Sequence, residues 1–183
     1  MLLVVAATEP ELRGAAGAEM LICGIGPVDA AAATARALAR QRPSAVLHVG
    51  IAGCRRGCGL APPQLVIGSE SLYCDTRSRL VAARLEPAAR LLAAARAALP
   101  EAAVLPIGTS ANLGGTSGCD VEAMEGFAVL RAAQLAAVPA LEVRAVANEI
   151  EESDRGLWRF DEALAALEQA LPGLVAVLGG HKP

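Results

Sequence analysis

The stretch MLICGIGPVDAAAATARALARQRPSAVLHVG, Met20 to Gly50, decides the fold. Its first apolar run, Met20 to Cys23, is short and bounded by glycine, as a strand is. Gly26 and Pro27 then open a helix over Pro27 to Gln41. Proline suits the first helical position, and Asp29 lies in the first turn, where the helix dipole favours an anion. Ala45 to Val49 is a second short apolar run and predicts a second strand. Working outward, the same alternation continues. Leu2 to Ala7, Leu65 to Ile67, Val104 to Ile107 and Leu141 to Ala147 read as strands. Pro87 to Leu99 reads as a helix stopped by Pro100, Ala123 to Ala137 as one ended before Pro139, and Leu157 to Leu171 as one ended by Pro172-Gly173. Strands alternating with helices predict an α/β, three-layer sandwich with a central, mainly parallel twisted sheet, and one domain over 1–183. In such sheets ligands collect at the carboxyl ends of strands, so the loops after Ala7, Val49, Ile107 and Ala147 are the informative ones.

Composition narrows the function. Apolar residues make up 54% of the 183 and the net charge is −3, which fits an ordered protein and opposes binding to a phosphate backbone. Tyr73, Phe127, Trp158 and Phe160 are the whole aromatic set, too few for stacking along a nucleic acid. The five cysteines, Cys23, Cys54, Cys58, Cys74 and Cys119, are odd in number and scattered. They read as reduced cytoplasmic thiols rather than a disulfide framework or a metal site. Neither a targeting signal nor a membrane span is read from the chain. No cofactor is implied.

Four segments carry candidate chemistry. Cys23-Gly24-Ile25-Gly26-Pro27-Val28-Asp29 follows a strand and opens a helix, but a dinucleotide fingerprint needs a small residue where Asp29 stands. Tight turning by the two glycines is the plainer reading. Gly50-Ile51-Ala52-Gly53 follows a strand and lets backbone N–H groups approach a ligand, or merely turns the chain. Gly108 to Gly118, with Thr109, Ser110, Thr116 and Ser117, could wrap a polar planar ligand or be a solvated loop. Glu122 and Glu125 are the sharper signal. They sit three apart at the start of a predicted helix whose continuation, Gly126 to Leu130, is almost entirely apolar. They complement the helix dipole, or one of them accepts hydrogen bonds from vicinal hydroxyls, a task that suits an acceptor-only group.

Four blocks, in order, resemble the nucleoside phosphorylase and nucleosidase superfamily, and within it most strongly the futalosine hydrolases of menaquinone biosynthesis. They are Ala7-Thr8-Glu9-Pro10-Glu11-Leu12, Cys23 to Ala31, Val49-Gly50-Ile51-Ala52-Gly53, and Glu122-Ala123-Met124-Glu125-Gly126, the last leading into Arg144-Ala145-Val146-Ala147-Asn148. The resemblance implies a purine nucleoside as small-molecule substrate, cleavage of its N-glycosidic bond, and a homo-oligomer. It implies that Glu125 binds the ribose hydroxyls, with Met124 packing on the sugar and Glu122 as a nearby acid. It gives the loop Gly50-Ile51-Ala52 to substrate binding, Arg144 to support of the base-binding end, and Glu11 to activation of the attacking water. Asn148 stands where adenine-specific nucleosidases place an aspartate.

An adenine leaving group gains from an acid that donates to N7 and accepts from the 6-amino group. An amide cannot release that proton, but it can donate to O6 or N7 of a 6-oxopurine, so hypoxanthine matches Asn148 better. Related phosphorylases hold phosphate with an arginine before the second glycine loop and a Ser or Thr within it. Here those places hold His48 and Ile51, so hydrolysis is expected. Arg13 is the other phosphate candidate, and the ordinary role for His48 is a satisfied structural histidine. The chain is short for the superfamily around Asp75 to Glu86 and between Ser110 and Glu122. Trp158 reads either as a neighbour of the 5′ group or as a core anchor. Competing readings are a 5′-methylthioadenosine or S-adenosylhomocysteine nucleosidase, which Asn148 opposes, a phosphorylase, and a non-catalytic nucleoside-binding protein.

Overall fold

The computed structural model describes residues 1–114 and 118–180. Eight strands and four α-helices follow in chain order: β1 (Leu2–Ala6), β2 (Glu19–Ile22), α1 (Pro27–Arg40), β3 (Ala45–Cys54), β4 (Leu65–Tyr73), β5 (Arg84–Leu85), α2 (Ala89–Ala98), β6 (Ala103–Thr109), β7 (Val121–Ala123), α3 (Gly126–Leu135), β8 (Ala140–Glu149) and α4 (Phe160–Gly179). Every strand and helix expected from the sequence is present, and the fold is α/β.

The sheet departs from the expected plain parallel sandwich. β2, β1, β3 and β8 do run parallel to one another in that order. β8 then pairs antiparallel with β4, β4 parallel with β6, and β6 parallel with β7. β7 returns antiparallel to β3, pairing Glu122 with Gly53 and Val121 with Cys54. The sheet is therefore mixed, and β3–β8–β4–β6–β7 close into a barrel-like ring. The physical cause is strand length and bending. β3 and β4 reach ten and nine residues, well beyond their apolar runs, and each pairing shifts register, at Ala52/Gly53 and at Gly68/Glu70. Such irregularities increase twist and bend a strand, which lets its two ends serve different neighbours. Strand β7, only three residues long, has no periodic signature, so the sequence reading put it at the start of a helix.

Two helical layers flank the sheet. On one face Leu91 and Ala95 of α2 and Leu167, Leu171, Leu174 and Leu178 of α4 pack on Leu2, Val4, Leu47, Leu141 and Val143. On the other, Ala30 and Leu38 of α1 and Phe127, Val129 and Leu130 of α3 pack on Leu3, Val5 and Val46. A third cluster draws Cys54, Val66, Ile107, Val121 and Val146, one from each ring strand, into the ring. Helix α4 runs through Pro172 rather than ending there. Pro172 is exposed, and continuing the helix buries Leu174 and Leu178, each worth about 1.5–3 kcal/mol. α4 is long and apolar enough by length and composition to cross a membrane, but its leucine face lies on the sheet.

Candidate active site

The carboxyl ends of β1, β3 and β8 and the β7–α3 corner surround one cleft of about 860 Å³. Glu11, Ile51, Ala52, Glu122, Met124, Glu125 and Asn148 all line it. Residues from 11 to 148 thus converge because the ring brings β3, β7 and β8 together at one end.

Glu11 lies in a 3-10 turn, Glu9–Leu12, directly after β1, and is only 5% exposed. One carboxylate oxygen accepts from the Thr8 backbone N–H at 2.8 Å and the Thr8 hydroxyl at 2.9 Å. The other accepts from the Ile51 N–H at 3.1 Å. Glycine is required next to it. A Cβ on Gly50 would meet the Arg144 guanidinium and come within 2.7 Å of Glu11 Oε1.

Glu125 is the residue preceding α3, but its carboxylate makes no capping bond to that helix. It turns away instead. Oε1 accepts from the Gly26 N–H at 3.0 Å, and Oε2 faces both terminal nitrogens of Arg144 at 3.5 Å. The helix-dipole alternative therefore does not describe Glu125. Glu122 is not at a helix start either. It belongs to β7, because that strand's backbone pairs with Gly53 and Gly108.

Gly50 and Arg144 lie beneath the cleft rather than on its described lining. Arg144 was expected at the base-binding end. It sits instead under Gly50, between Glu11 and Glu125, four residues before Asn148 on β8. At 1% exposure it pairs with Glu142 at 2.8 Å and donates to Ile51 O at 3.3 Å and to His48 Nε2. His48 is fully buried, and its Nδ1 lies 2.9 Å from the Val5 carbonyl. A carbonyl only accepts, so Nδ1 carries the proton and Nε2 is the acceptor for Arg144. Burial, and then the charge of Arg144, hold the His48 pKa well below its ordinary value. Burial likewise raises the pKa of Glu142 against the opposing pull of Arg144 and Ser71. His48 is satisfied at both nitrogens, as the ordinary structural reading expected. Arg13, the other phosphate candidate, is exposed and not among the cleft's described lining.

Asn148 lies opposite Gly53 across the β3–β8 pairing, and its Nδ2 donates to the Glu149 carbonyl at 2.8 Å. Farther out, Trp158 is half-buried on the cleft wall. Its Nε1 donates to the Glu152 carbonyl at 3.0 Å, its ring tilts against Phe160 at 5.4 Å, and the Arg155 guanidinium lies over it at 5.6 Å. Thr8, Gly26 and Ile25 also belong to the site and were missed by the sequence reading. Gly26 meets Glu125 across 99 residues, a pairing that no local pattern signals. In the hydroxyl-rich loop, Asn112, Leu113 and Gly114 line the cleft, while Gly115, Thr116 and Ser117 lie outside the described residues. Burial pushes the Cys54 thiol up to about 12.

The phosphorylase superfamily model matches residues 12–113. A futalosine hydrolase of Streptomyces coelicolor is 34% identical over 200 residues, which span 91% of this chain and 82% of that protein. In three dimensions, the 5′-methylthioadenosine/S-adenosylhomocysteine nucleosidase of Colwellia psychrerythraea, solved with adenine, superposes with a TM-score of 0.86 at 20% identity. That match covers 97% of this chain and 95% of the other. A futalosine hydrolase mutant of Helicobacter pylori superposes with a TM-score of 0.79 at 17% identity, covering 97% and 96%.

Proposed function

The chain belongs to the phosphorylase superfamily and, within it, to the futalosine hydrolases; it is an N-glycosyl hydrolase, and we propose that it releases hypoxanthine from futalosine at the Glu11–Glu125 cleft. Residues 1–183 act in this reading as a single nucleosidase domain, cytoplasmic and homo-oligomeric, in menaquinone biosynthesis. The observation that carries it is the pairing of two buried carboxylates on one cleft, each held by a backbone N–H from a distant segment.

Glu125 accepts hydrogen bonds from the ribose hydroxyls, with Met124 against the sugar face and Glu122 nearby. Glu11, oriented by Thr8 and Ile51, takes a proton from water as that water attacks C1′. The glycosidic C–N bond breaks ahead of full attack, so the ribose gains oxocarbenium character and its positive charge develops among the carboxylates. The leaving purine keeps the bonding pair. Asn148 has a second amide N–H beyond the one given to Glu149, and that donor suits O6 or N7 of hypoxanthine. General-base assistance of this kind contributes roughly a hundredfold to ten-thousandfold in rate.

Hydrolysis rather than phosphorolysis follows from the same charges. His48 is neutral and buried, Ile51 has no hydroxyl, and the cation below the site, Arg144, already faces Glu125 and Glu142. A phosphate dianion entering there meets carboxylates, and among the described residues the cation under it is already paired. A second reading, a methylthioadenosine nucleosidase, is favoured by the superposition on the Colwellia enzyme and opposed by Asn148.

Incubation with futalosine, inosine and 5′-methylthioadenosine, with and without phosphate, tests the proposal by following free base. Hypoxanthine from futalosine at a rate independent of phosphate is the expected result. Preferential adenine release would sink the base assignment, a phosphate requirement would sink hydrolysis, and no release from any nucleoside would leave a binding protein.

A further inference from the structure

A guanidinium carries five N–H bonds. In Arg144 all five are directed at acceptors: Nε at Glu142 Oε1, one terminal nitrogen at the Ile51 carbonyl, the other at His48 Nε2, and each terminal nitrogen also at Glu125 Oε2. Two of the groups that hold it, Glu142 and His48, are 1% and 0% exposed and lie away from the cleft lining. Each is fixed from behind. Glu142 Oε2 accepts from the Ser71 hydroxyl at 3.1 Å, and His48 Nδ1 donates to Val5 O at 2.9 Å.

Glu142 has a second contact. A Cβ on Gly126 would overlap both oxygens of its carboxylate, so the carboxylate is seated against the first residue of α3. Gly126 directly follows Glu125. Glu142 thus bears on the cation that faces Glu125 and on the backbone that carries it. Burying a carboxylate costs desolvation that an apolar side chain at this strand position would avoid. What the carboxylate supplies in return is orientation.

We propose that Glu142 is a positioning residue for glycosidic-bond cleavage, fixing the pose of Glu125 through Arg144 and Gly126, with His48 bracing Arg144 from the other side. The proposal rests on the reading that Glu125 grips the ribose.

A double-mutant cycle on futalosine hydrolysis tests it, with Glu142→Gln, Glu125→Gln and the double variant compared by kcat and KM. Misplacing a reacting geometry by about 1 Å costs about a hundredfold. Glu142→Gln is expected to lower kcat/KM on that scale, chiefly through kcat, when Glu125 is present. On the Glu125→Gln background the same change is expected to alter kcat/KM less than about twofold, because coupled residues do not add. An equal loss on both backgrounds, or no loss in the wild type, overturns the proposal. A Glu125→Gln variant with unaltered kcat and KM overturns the ribose reading instead, and this inference with it. If Glu142→Gln does not fold, Ser71→Ala removes only the hydroxyl behind Glu142. Its expected loss is several-fold with Glu125 present and absent without it, and an equal loss on both backgrounds again overturns the proposal.

Discussion

The floor and the rim of the cleft are built in opposite ways. On the floor, Glu11, Glu125 and Arg144 are 1–5% exposed, and besides the neighbouring Thr8 and Glu142 they bond partners 19 to 99 residues away. On the rim, Leu113 is 55% exposed, and Trp158 is tied by its ring N–H to Glu152, six residues back. Asp154 likewise bonds Gly156, two residues on. The floor is a product of the whole fold. The rim around Trp158 is held mainly by local bonds, although Glu151 beside it accepts from the Arg56 N–H, 95 residues away. In the proposed mechanism, sugar gripping and water activation fall to the first region and recognition of the remote end of the substrate to the second.

Substitutions can break that contrast. The largest effect is expected from Glu11→Gln, which keeps the side chain's shape and removes the base. Turnover should fall by roughly a hundredfold to ten-thousandfold while nucleoside affinity holds, as single-turnover kinetics and calorimetry would reveal. A large loss of affinity would mean that Glu11 binds substrate rather than water. Next comes Gly50→Ala, whose methyl would press on Arg144 and Glu11. Overpacking of this kind costs about 1–3 kcal/mol, readable in urea denaturation, whereas Leu113→Ala on the rim should stay within about 0.5 kcal/mol. Equal effects at the two positions would erase the distinction drawn above.

A third effect concerns pH. Folded His48 resists protonation, while the unfolded chain protonates near the ordinary value of 6.5. Below that value the unfolded state binds the extra proton, so stability falls as pH falls towards the folded pKa, by up to about 1.4 kcal/mol per pH unit. Glu142 has the opposite sign. Its raised pKa contributes stability that is present below 4.5 and lost as pH rises through the folded value. Denaturation at pH 7.5 and 5.5 should show the His48 limb, and His48→Gln should flatten it. A variant with the wild-type slope would assign the limb to another group. The smallest effect is expected at the rim. Trp158→Ala should raise KM several-fold with kcat nearly unchanged, because an outer wall that binds ground state and transition state alike changes only uniform binding. A fall in kcat alone would place Trp158 among the positioning groups.

Much of this was readable in the chain, for reasons that differ by region. The strand–helix alternation around Met20 to Gly50 reflects the buried strand β3 and the packed face of α1, and burial writes a period into the sequence, whereas edge strand β2 is largely exposed. The cleft likewise gathers Glu11, Glu125 and Asn148, which stand at strand ends where an α/β sheet collects its ligand. Other features write no period. β7 is three residues held by partners on β3 and β6, so Glu122 was read at the start of a helix rather than on a strand. Closure of the ring is a matter of register shifts that side-chain patterns do not record. Arg144 was placed at the base end on its resemblance to a family arginine. On a strand, though, side chains two residues apart share a face, and residues 142 and 144 both point towards Glu125's support while Asn148 lies beyond the bulge. Pro172 was taken as a helix stop because proline usually is one, and the buried leucines that follow it outweighed that local preference.

The ring has a consequence for how the protein comes into being. β8 inserts between β3 and β4, two strands made some 70 to 100 residues earlier. Until residue 149 has been synthesised, β3 and β4 present unpaired edges, the state most exposed to wrong pairing between chains. The nascent chain can fold its β1–β2–α1 region early, yet Arg144 and Asn148 arrive only with β8. One late strand thus closes the ring and delivers both residues, before the segment from Ile150 to Leu164 completes the cleft wall.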